Sequence, residues 1–439
     1  MKPICVLAPI VLALSIACFG QSEPIPAAVS GLSNHVLSVD EAVAASLLGN
    51  PEIHAAMRRL SLAQLKTNTA RSLDDPMLMV RDWNTPLRQP WNLNQAQLMF
   101  SLQQTFPSRQ KREMRAKLTQ DDAGEAAIDL ETLRQEVSAE TRKLCADLMR
   151  NADELRLEDS QRALLKEALA AALAQYTTGK VPQADVLRAQ MALTRLSEEL
   201  IELEEERDTA RAQLNALMGR RPDEAIEIAG SYAAPIALPM IEELEQIAIE
   251  HRPELAVLRT EIAKSRDQSK LTQLAMKPDF TVGLGYMLMP SGSTARNAYM
   301  AELSMNLPRL NRERHEGEAK QANAATDVSQ AELDARASTV FLEIRQAQIA
   351  VQAAEKRIKL FRDTLLPQAE ASFKASSAAY QNNRAEYMSL IDAQNLLLDI
   401  QTAYYKASAA TDAGIAQLER AIGEQLPDST IQGTGRTSK

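Results

Sequence analysis

From Ser108 to Tyr176 the chain runs without a proline, and Leu130, Leu133, Val137, Leu144, Leu148 and Leu155 recur at three-, four- and seven-residue steps. That spacing marks one apolar stripe on a helix. It predicts a helix over 109–177, roughly 100 Å long at the usual rise. Gly179 then supplies a helix end and Pro182 the next start, so a second helix follows over 183–218. Upstream, Ala42, Ala45, Ile53, Met57, Leu60 and Leu65 predict a helix over 41–73. Laid end to end, the two shorter helices match the long one and can run antiparallel beside it. The stripe is narrow, so such helices should pack sideways against copies of themselves.

Over 76–106 the period changes to two. Ala96, Leu98, Phe100 and Leu102 alternate with Gln95, Gln97, Met99 and Ser101, and Met77–Trp83 gives a fainter strand. Over 279–307 the alternation is sharper: Phe280, Val282, Leu284, Tyr286 and Leu288, then Ala301, Leu303, Met305 and Leu307. Segments of this length with one apolar and one small or polar face suit membrane barrel strands, or amphipathic hairpins of a soluble domain. Trp83 and Trp91 flank the first hairpin turn, where an aromatic belt would lie. Four strands cannot close a barrel, and lipid does not tolerate open strand edges. Spanning a membrane would therefore require an oligomer that pools strands.

The whole pattern occurs twice. Asp40–Ile53 returns as Glu242–Leu255, and Pro51 and Pro76 return as Pro253 and Pro278, each 202 residues on. Tyr176, Ala189, Gln190 and Gly219 return 204 residues on as Tyr380, Ala393, Gln394 and Gly423. A period this long is a duplicated half and not a solenoid repeat. The domains expected are a first repeat over 21–220, a proline-bearing linker over 221–240, and a second repeat over 241–423. Within the second, helices are expected over 241–275, about 312–380 and 386–422, with Pro367 kinking the long one. The tail, 424–439, is polar and reads as disordered.

Composition narrows the classes. Only 4% of the 439 residues are aromatic, as in long helices with small knobs. A net charge of −9 gives no basic footprint, which excludes a nucleic-acid partner. Residues 1–20 resemble an export signal, with Lys2 ahead of an apolar run from Ile4 to Phe19. Two exits are open: cleavage before Gln21, or lipidation at Cys18 after a lipobox-like run. Cys145 is then alone in the mature body and reads as a buried, inert thiol.

No catalytic constellation is present in the sequence, and no cofactor is called for. His35, His54, His251 and His315 are scattered without metal-ligand spacing, Gly283-x-Gly285 lies inside a strand, and no Walker A sequence exists. The chain reads as no enzyme, and any energy must come from a partner. Met77, Met79, Met99, Met287, Met289, Met300 and Met305 fall in the strand regions. Thioethers are soft ligands, but flexible apolar filler is the plainer explanation.

Over nearly its mature length the chain resembles the TolC-like outer-membrane efflux proteins. The resemblance rests on the duplicated plan, the NPEI and RPEL openings, FPSRQKRE from Phe106, the Tyr-x-x-Gly turn with VLRAQ (Val186–Gln190), and LMG at Leu217–Gly219. KPDFTVGLGY with LPRLNRERHEGEAKQA is most similar to the metal-efflux branch. The resemblance implies an α+β membrane protein: a homotrimer whose twelve-strand β-barrel in outer-membrane lipid continues into a twelve-helix periplasmic coiled-coil tunnel. It implies a passive exit duct serving an inner-membrane pump through a periplasmic adaptor, for heavy-metal cations, drugs or, by type I secretion, proteins. A secreted soluble coiled-coil scaffold is the competing class.

The same resemblance locates candidate sites. Adaptor docking falls on the turns: Tyr176, Gly179, Lys180 and Val181 in the first half, Tyr380, Asn383 and Arg384 in the second. A family gate carboxylate twelve residues after the turn tyrosine is Asp392 here. A second gate aspartate of the family is Ser389 here, a departure. First-half equivalents are Asp185 and Arg188, and an ordinary exposed helix-start carboxylate is the alternative for each aspartate.

Overall fold

A computed structural model describes residues 36–83, 97–179, 181–234, 236–289, 297–382, 384 and 387–426. The proposed signal with Cys18, and also Trp91, Ala96, Lys180, Asn383 and the tail beyond 426, lie outside the described residues.

The long helix forms over Arg109–Thr177 (α3), capped by the Ser108 hydroxyl, which accepts from the Lys111 N–H. Gln183–Leu217 (α4) folds back beside it. The expectation of one helix over 41–73 is corrected. Val39–Gly49 (α1) and Pro51–Thr69 (α2) are separate, with Asn50 extended at ψ 122°. Pro51 explains the break, because a residue before proline is driven out of the helical region. The expectation over 241–275 is corrected in the same way. Ile241–His251 (α5) and Pro253–Leu274 (α6) part at Arg252, with ψ 119°. The apolar period runs on through both breaks, so periodicity alone does not reveal them.

In the second half the long helix is Arg312–Leu360 (α7), a π turn over Phe361–Leu365, and Leu366–Gln381 (α8), followed by Tyr387–Ile422 (α9). The expected effect of Pro367 takes this form. Proline has no N–H to donate, and its ring crowds the carbonyl four residues back. A π turn just before it opens the ladder, with the Leu366 N–H donating to the Phe361 carbonyl.

The strands are Val36–Leu37 (β1), Met77–Trp83 (β2), Gln97–Phe106 (β3), Glu227–Ile228 (β4), Phe280–Leu288 (β5) and Asn297–Met305 (β6). Four make one antiparallel sheet in the order β2-β3-β5-β6. The short β1 and β4 pair in parallel, a contact the alternation pattern is too short to announce.

Helix packing follows one rule along the molecule. Next to the sheet, α3 lies between α2 and α6, and α6 also packs on α7. At the other end, α3 lies between α4 and α9, and α9 also packs on α8. Each level is thus a row of four: α2-α3-α6-α7 above and α4-α3-α9-α8 below. Separate apolar clusters hold the rows. Leu37, Leu144, Leu148, Leu214 and Met218 form one, and Leu244, Val340, Ile344, Leu418 and Ile422 form another. The segment between the halves straps them together. The Tyr232 hydroxyl donates to Asp153 on α3, the Ala233 N–H to Asp412 on α9 and the Ile236 N–H to Glu355 on α7.

Candidate functional site

At the end remote from the sheet, α3 stops at a turn in which the Gly179 N–H donates to the Tyr176 carbonyl at 2.9 Å. Gly179 has φ +70°, and a Cβ there would meet nothing within 4 Å. Backbone conformation and not packing therefore demands the glycine. Tyr176 is exposed and Val181 half-buried. The second-half turn closes differently: the Arg384 N–H reaches back to the Ala379 carbonyl at 2.8 Å, and half-buried Tyr380 stands before it. Both turns lie at the same end of the four-helix row.

Asp185, in the first turn of α4, faces Arg188 at 3.4 Å on the same helix. Asp392, early in α9, is exposed and has no ion pair among the described residues. Within one protomer these groups are not brought together into one site.

Farther along α3 is a feature that sequence reasoning missed. Glu158 is only 8% exposed, and its Oε2 has no hydrogen-bond partner. Burial, with Glu199 on α4, Glu154 on α3 and Asp399 on α9, pushes its carboxyl up to about 7. One turn away, Glu154 is buried too but meets Arg150 at 2.9 Å. Gln394 of α9 donates to the Gln161 side chain, which closes the same α3–α9 seam. Glu158 was invisible because the apolar period runs past it and its neighbours come from other helices. Cys145 is fully buried, as expected, and burial holds its thiol at about 12.

At the sheet end, register sorts the side chains into two faces. Leu78, Leu102, Leu284 and Ala301 stand in one cross-strand row, and Val80, Phe100, Tyr286 and Tyr299 in the next. This apolar face is bare: Leu78 is 68% exposed, Leu284 67% and Leu303 72%. The opposite face carries Ser101, Gln103, Thr105, Gly283, Gly285 and Glu302. There Gln103 donates to Glu302 at 3.2 Å, and the Thr105 and Thr281 hydroxyls are 3.0 Å apart. A soluble sheet hides its apolar face, and this one presents it.

Sheet and helices are locked by two of the sequence motifs. Lys111 of FPSRQKRE is buried and places its Nζ 2.8 Å from Asp279 and 2.7 Å from the Lys277 carbonyl, both in KPDF. Their role as partners was not legible across so long a separation. Among the described residues, no group of three or more His, Cys, Asp or Glu side chains could hold a metal. No helix among them is long and apolar enough to cross a membrane.

A family model described as outer membrane efflux protein matches residues 244–424. Over that stretch, which is the expected second repeat, the chain is similar to the outer membrane efflux proteins. It is 22% identical over 387 residues to the cobalt-zinc-cadmium resistance protein CzcC of Cupriavidus metallidurans, covering 88% of this chain and 90% of that one. Its fold is similar to that of CusC, with a TM-score of 0.74 at 14% identity over 90% of this chain and 96% of the other. The outer membrane protein VceC of Vibrio cholerae gives 0.70 at 19% identity, with 88% and 96% covered. The fold is therefore that of the TolC-like channels, mostly helical with a small sheet.

Proposed function

We propose that the protein is the exit duct of a tripartite efflux system, closed as a ring of three copies. The observation that carries this reading is the agreement of open edges. Strand β2 and helices α2 and α4 end the rows on one side, and β6, α7 and α8 end them on the other. Head-to-tail association of one such edge with the other makes a closed ring without altering the protomer. Three copies give twelve strands and twelve helices. Strands β3, β5 and β6 have the length a tilted strand needs to cross the hydrocarbon layer. Apolar side chains left bare along the edge helices, such as Leu62, Leu65, Met191, Val328 and Leu342, are then covered by the neighbouring copy.

In this arrangement the bare apolar sheet face meets lipid, and the Gly, Ser, Gln and Glu face lines the lumen. Residues 21–220 and 241–423 act as two repeats joined by the strap over 221–240. The two turns, with Tyr176, Gly179, Lys180 and Val181 and with Tyr380, Asn383 and Arg384, receive the helical hairpin of a periplasmic adaptor that links the duct to an inner-membrane pump. Asp392, with Asp185 and Arg188 close to the same mouth, narrows the resting channel. Copies of an unpaired carboxylate around an axis concentrate negative potential and attract cations. Metal cations are the favoured cargo, on the similarity to a cobalt-zinc-cadmium resistance protein.

Mass measurement of the detergent-solubilised protein tests the ring, with three chains per particle expected. A folded monomer that stays soluble without detergent would overturn barrel and duct together. Gly179→Trp should leave trimer mass unchanged while abolishing adaptor cross-linking. Intact cross-linking in that variant counts against docking at this turn.

A further inference from the structure

Six methionines lie in the described strands, and register places five of them on one face: Met77, Met79, Met99, Met287 and Met300. Only Met305 is on the other. If these side chains were apolar filler, they would share the bare apolar face, which is where a thioether's hydrocarbon character is useful. They instead stand among Ser101, Gln103, Gly283, Gly285 and Glu302, so their polarizable sulfur is the property that distinguishes them there.

We infer that Met99, Met287 and Met300, with Met79 at the margin, form a soft-metal site around Ser101 that takes Cu(I) or its analogue Ag(I). Met99 and Met287 are direct cross-strand partners, whose Cβ atoms are about 5 Å apart in such pairs. Met300 pairs with Gly285, and its Cε lies 3.6 Å from where a Gly285 Cβ would stand. Its thioether therefore leans across the glycine, on the strand that carries Met287 two residues on. Ser101 pairs with both Met79 and Gly285 and is the centre of the group. Its hydroxyl is buried, 1% exposed, and has no hydrogen-bond partner. An orphaned buried hydroxyl calls for an explanation, and an ion or its water at this point provides one.

The donor set decides the ion class. Neutral thioethers suit a soft monovalent ion, and harder divalent cations prefer carboxylate or imidazole. Glu302 in the neighbouring row supplies negative charge. Arg81, opposite Met99, adds a positive charge that weighs more against a divalent ion than a monovalent one. This site goes beyond the duct reading, because the methionines share a face whether or not three copies close a barrel.

The test uses the full-length protein in detergent with Cys5→Ala, Cys18→Ala and Cys145→Ala, which removes the thiols that would themselves bind silver. Methionine methyls are labelled with carbon-13 and Ag(I) is added. Resonances of Met99, Met287 and Met300 should shift and saturate at one ion per protomer, while Zn(II) leaves them in place. The triple variant Met99→Leu, Met287→Leu, Met300→Leu should bind at least tenfold more weakly, and Met305→Leu on the opposite face should bind normally. Should the triple variant fail to fold, Met287→Leu alone must show the weakening. Unshifted resonances, or equal affinity in the leucine variants, would overturn the site. Mass measurement on the same samples reports the trimer separately, so failure of the duct reading is distinguishable.

Discussion

The joints between α1 and α2 and between α5 and α6 have the same geometry and different chemistry. In the first half Asn50 precedes Pro51, and its Nδ2 donates to the Leu217 carbonyl at 3.1 Å. In the second, Arg252 precedes Pro253, and its Nη1 donates to the Ala421 carbonyl at 2.7 Å. Each carbonyl sits two residues before a left-handed glycine, Gly219 at φ +66° and Gly423 at φ +80°. A short amide thus does in one half what a long guanidinium does in the other. The amide also caps its helix, accepting from the Glu52 and Ile53 N–H groups. Arginine cannot accept, so α6 has no side-chain cap. Being fully buried, Arg252 instead recruits Glu254 at 2.9 Å and Glu343 at 2.5 Å. Burial alone would raise the Glu254 carboxyl, but Arg252, a backbone N–H and Arg336 hold it below the usual range. The comparison teaches that backbone geometry sets the joint, and the donor's charge sets how many neighbours must be committed to it.

The largest test of that difference is Arg252→Met. It leaves two carboxylates facing an apolar side chain and the Ala421 carbonyl without its donor. Removing one partner of such a buried pair costs about 3–5 kcal/mol. Chemical denaturation of the detergent-solubilised protein should show that loss, with little change in the slope. If Arg252→Met costs no more than Asn50→Leu, the charged joint is not different in kind.

The glycines come next. A Cβ on Gly219 would lie 2.2 Å from the Gly49 carbonyl oxygen, and one on Gly423 would lie 2.7 Å from the His251 carbonyl oxygen. Gly219→Ala and Gly423→Ala should therefore cost more than the ~1–2 kcal/mol of left-handed backbone alone, with Gly219→Ala the worse. Gly179→Ala, with open space around it, should cost only that smaller amount in the same denaturation measurement. Equal losses at all three positions would mean that close approach at the joints is unimportant.

The two long helices differ as well. Helix α3 buries Glu158 among acidic neighbours, and the corresponding stretch of the second half is the π turn with Arg362 paired to Asp363 at its surface. Glu158 has a folded value near 7, above its ordinary 4.5, so the folded protein holds the proton more tightly than the unfolded chain. The cost is absent below pH 4.5, grows as pH rises toward 7 and is complete above it, at most about 3 kcal/mol per protomer. Glu158→Gln should remove that cost, raising the melting temperature at pH 8 and changing it little at pH 4.5. A variant no more stable than wild type at pH 8 would show the carboxylate to be solvated.

How legible all this was depended on range. The span of α3 was readable to the residue, because a proline-free apolar period ends at Gly179. Phe280–Leu288 was readable from alternation, whereas Met77–Trp83 gave the faintest strand signal. The breaks at Asn50 and Arg252 were not, since the period continues across them. The signal was Pro51 and Pro253 themselves, which act on the residue before. Lys111 with Asp279, and Glu158 with Glu199 and Asp399, were hidden because no local pattern says which distant segment arrives. The separation of methionines onto one strand face lay in their numbering, and needed the register to become a statement about space.

The smallest effect separates the two tasks of Asn50. Asn50→Ala loses the cap and the bond to Leu217 together, and loss of a cap costs about 1 kcal/mol. Asn50→Ser keeps an acceptor for the Glu52 and Ile53 N–H groups but cannot reach the Leu217 carbonyl. If the cap dominates, serine should recover most of the stability lost with alanine in denaturant titrations. If the carbonyl contact dominates, serine and alanine should be alike, and the joint's common element is then the donor to the carbonyl before the glycine. The second outcome would bring the halves closer than their chemistry suggests, because Arg252 also makes that contact and no cap. Asn50→Asp sharpens the choice, since it caps about as well but sets a carboxylate against the Leu217 oxygen. A cap-dominated joint tolerates aspartate nearly as well as asparagine, whereas a donor-dominated joint should lose more with aspartate than with alanine.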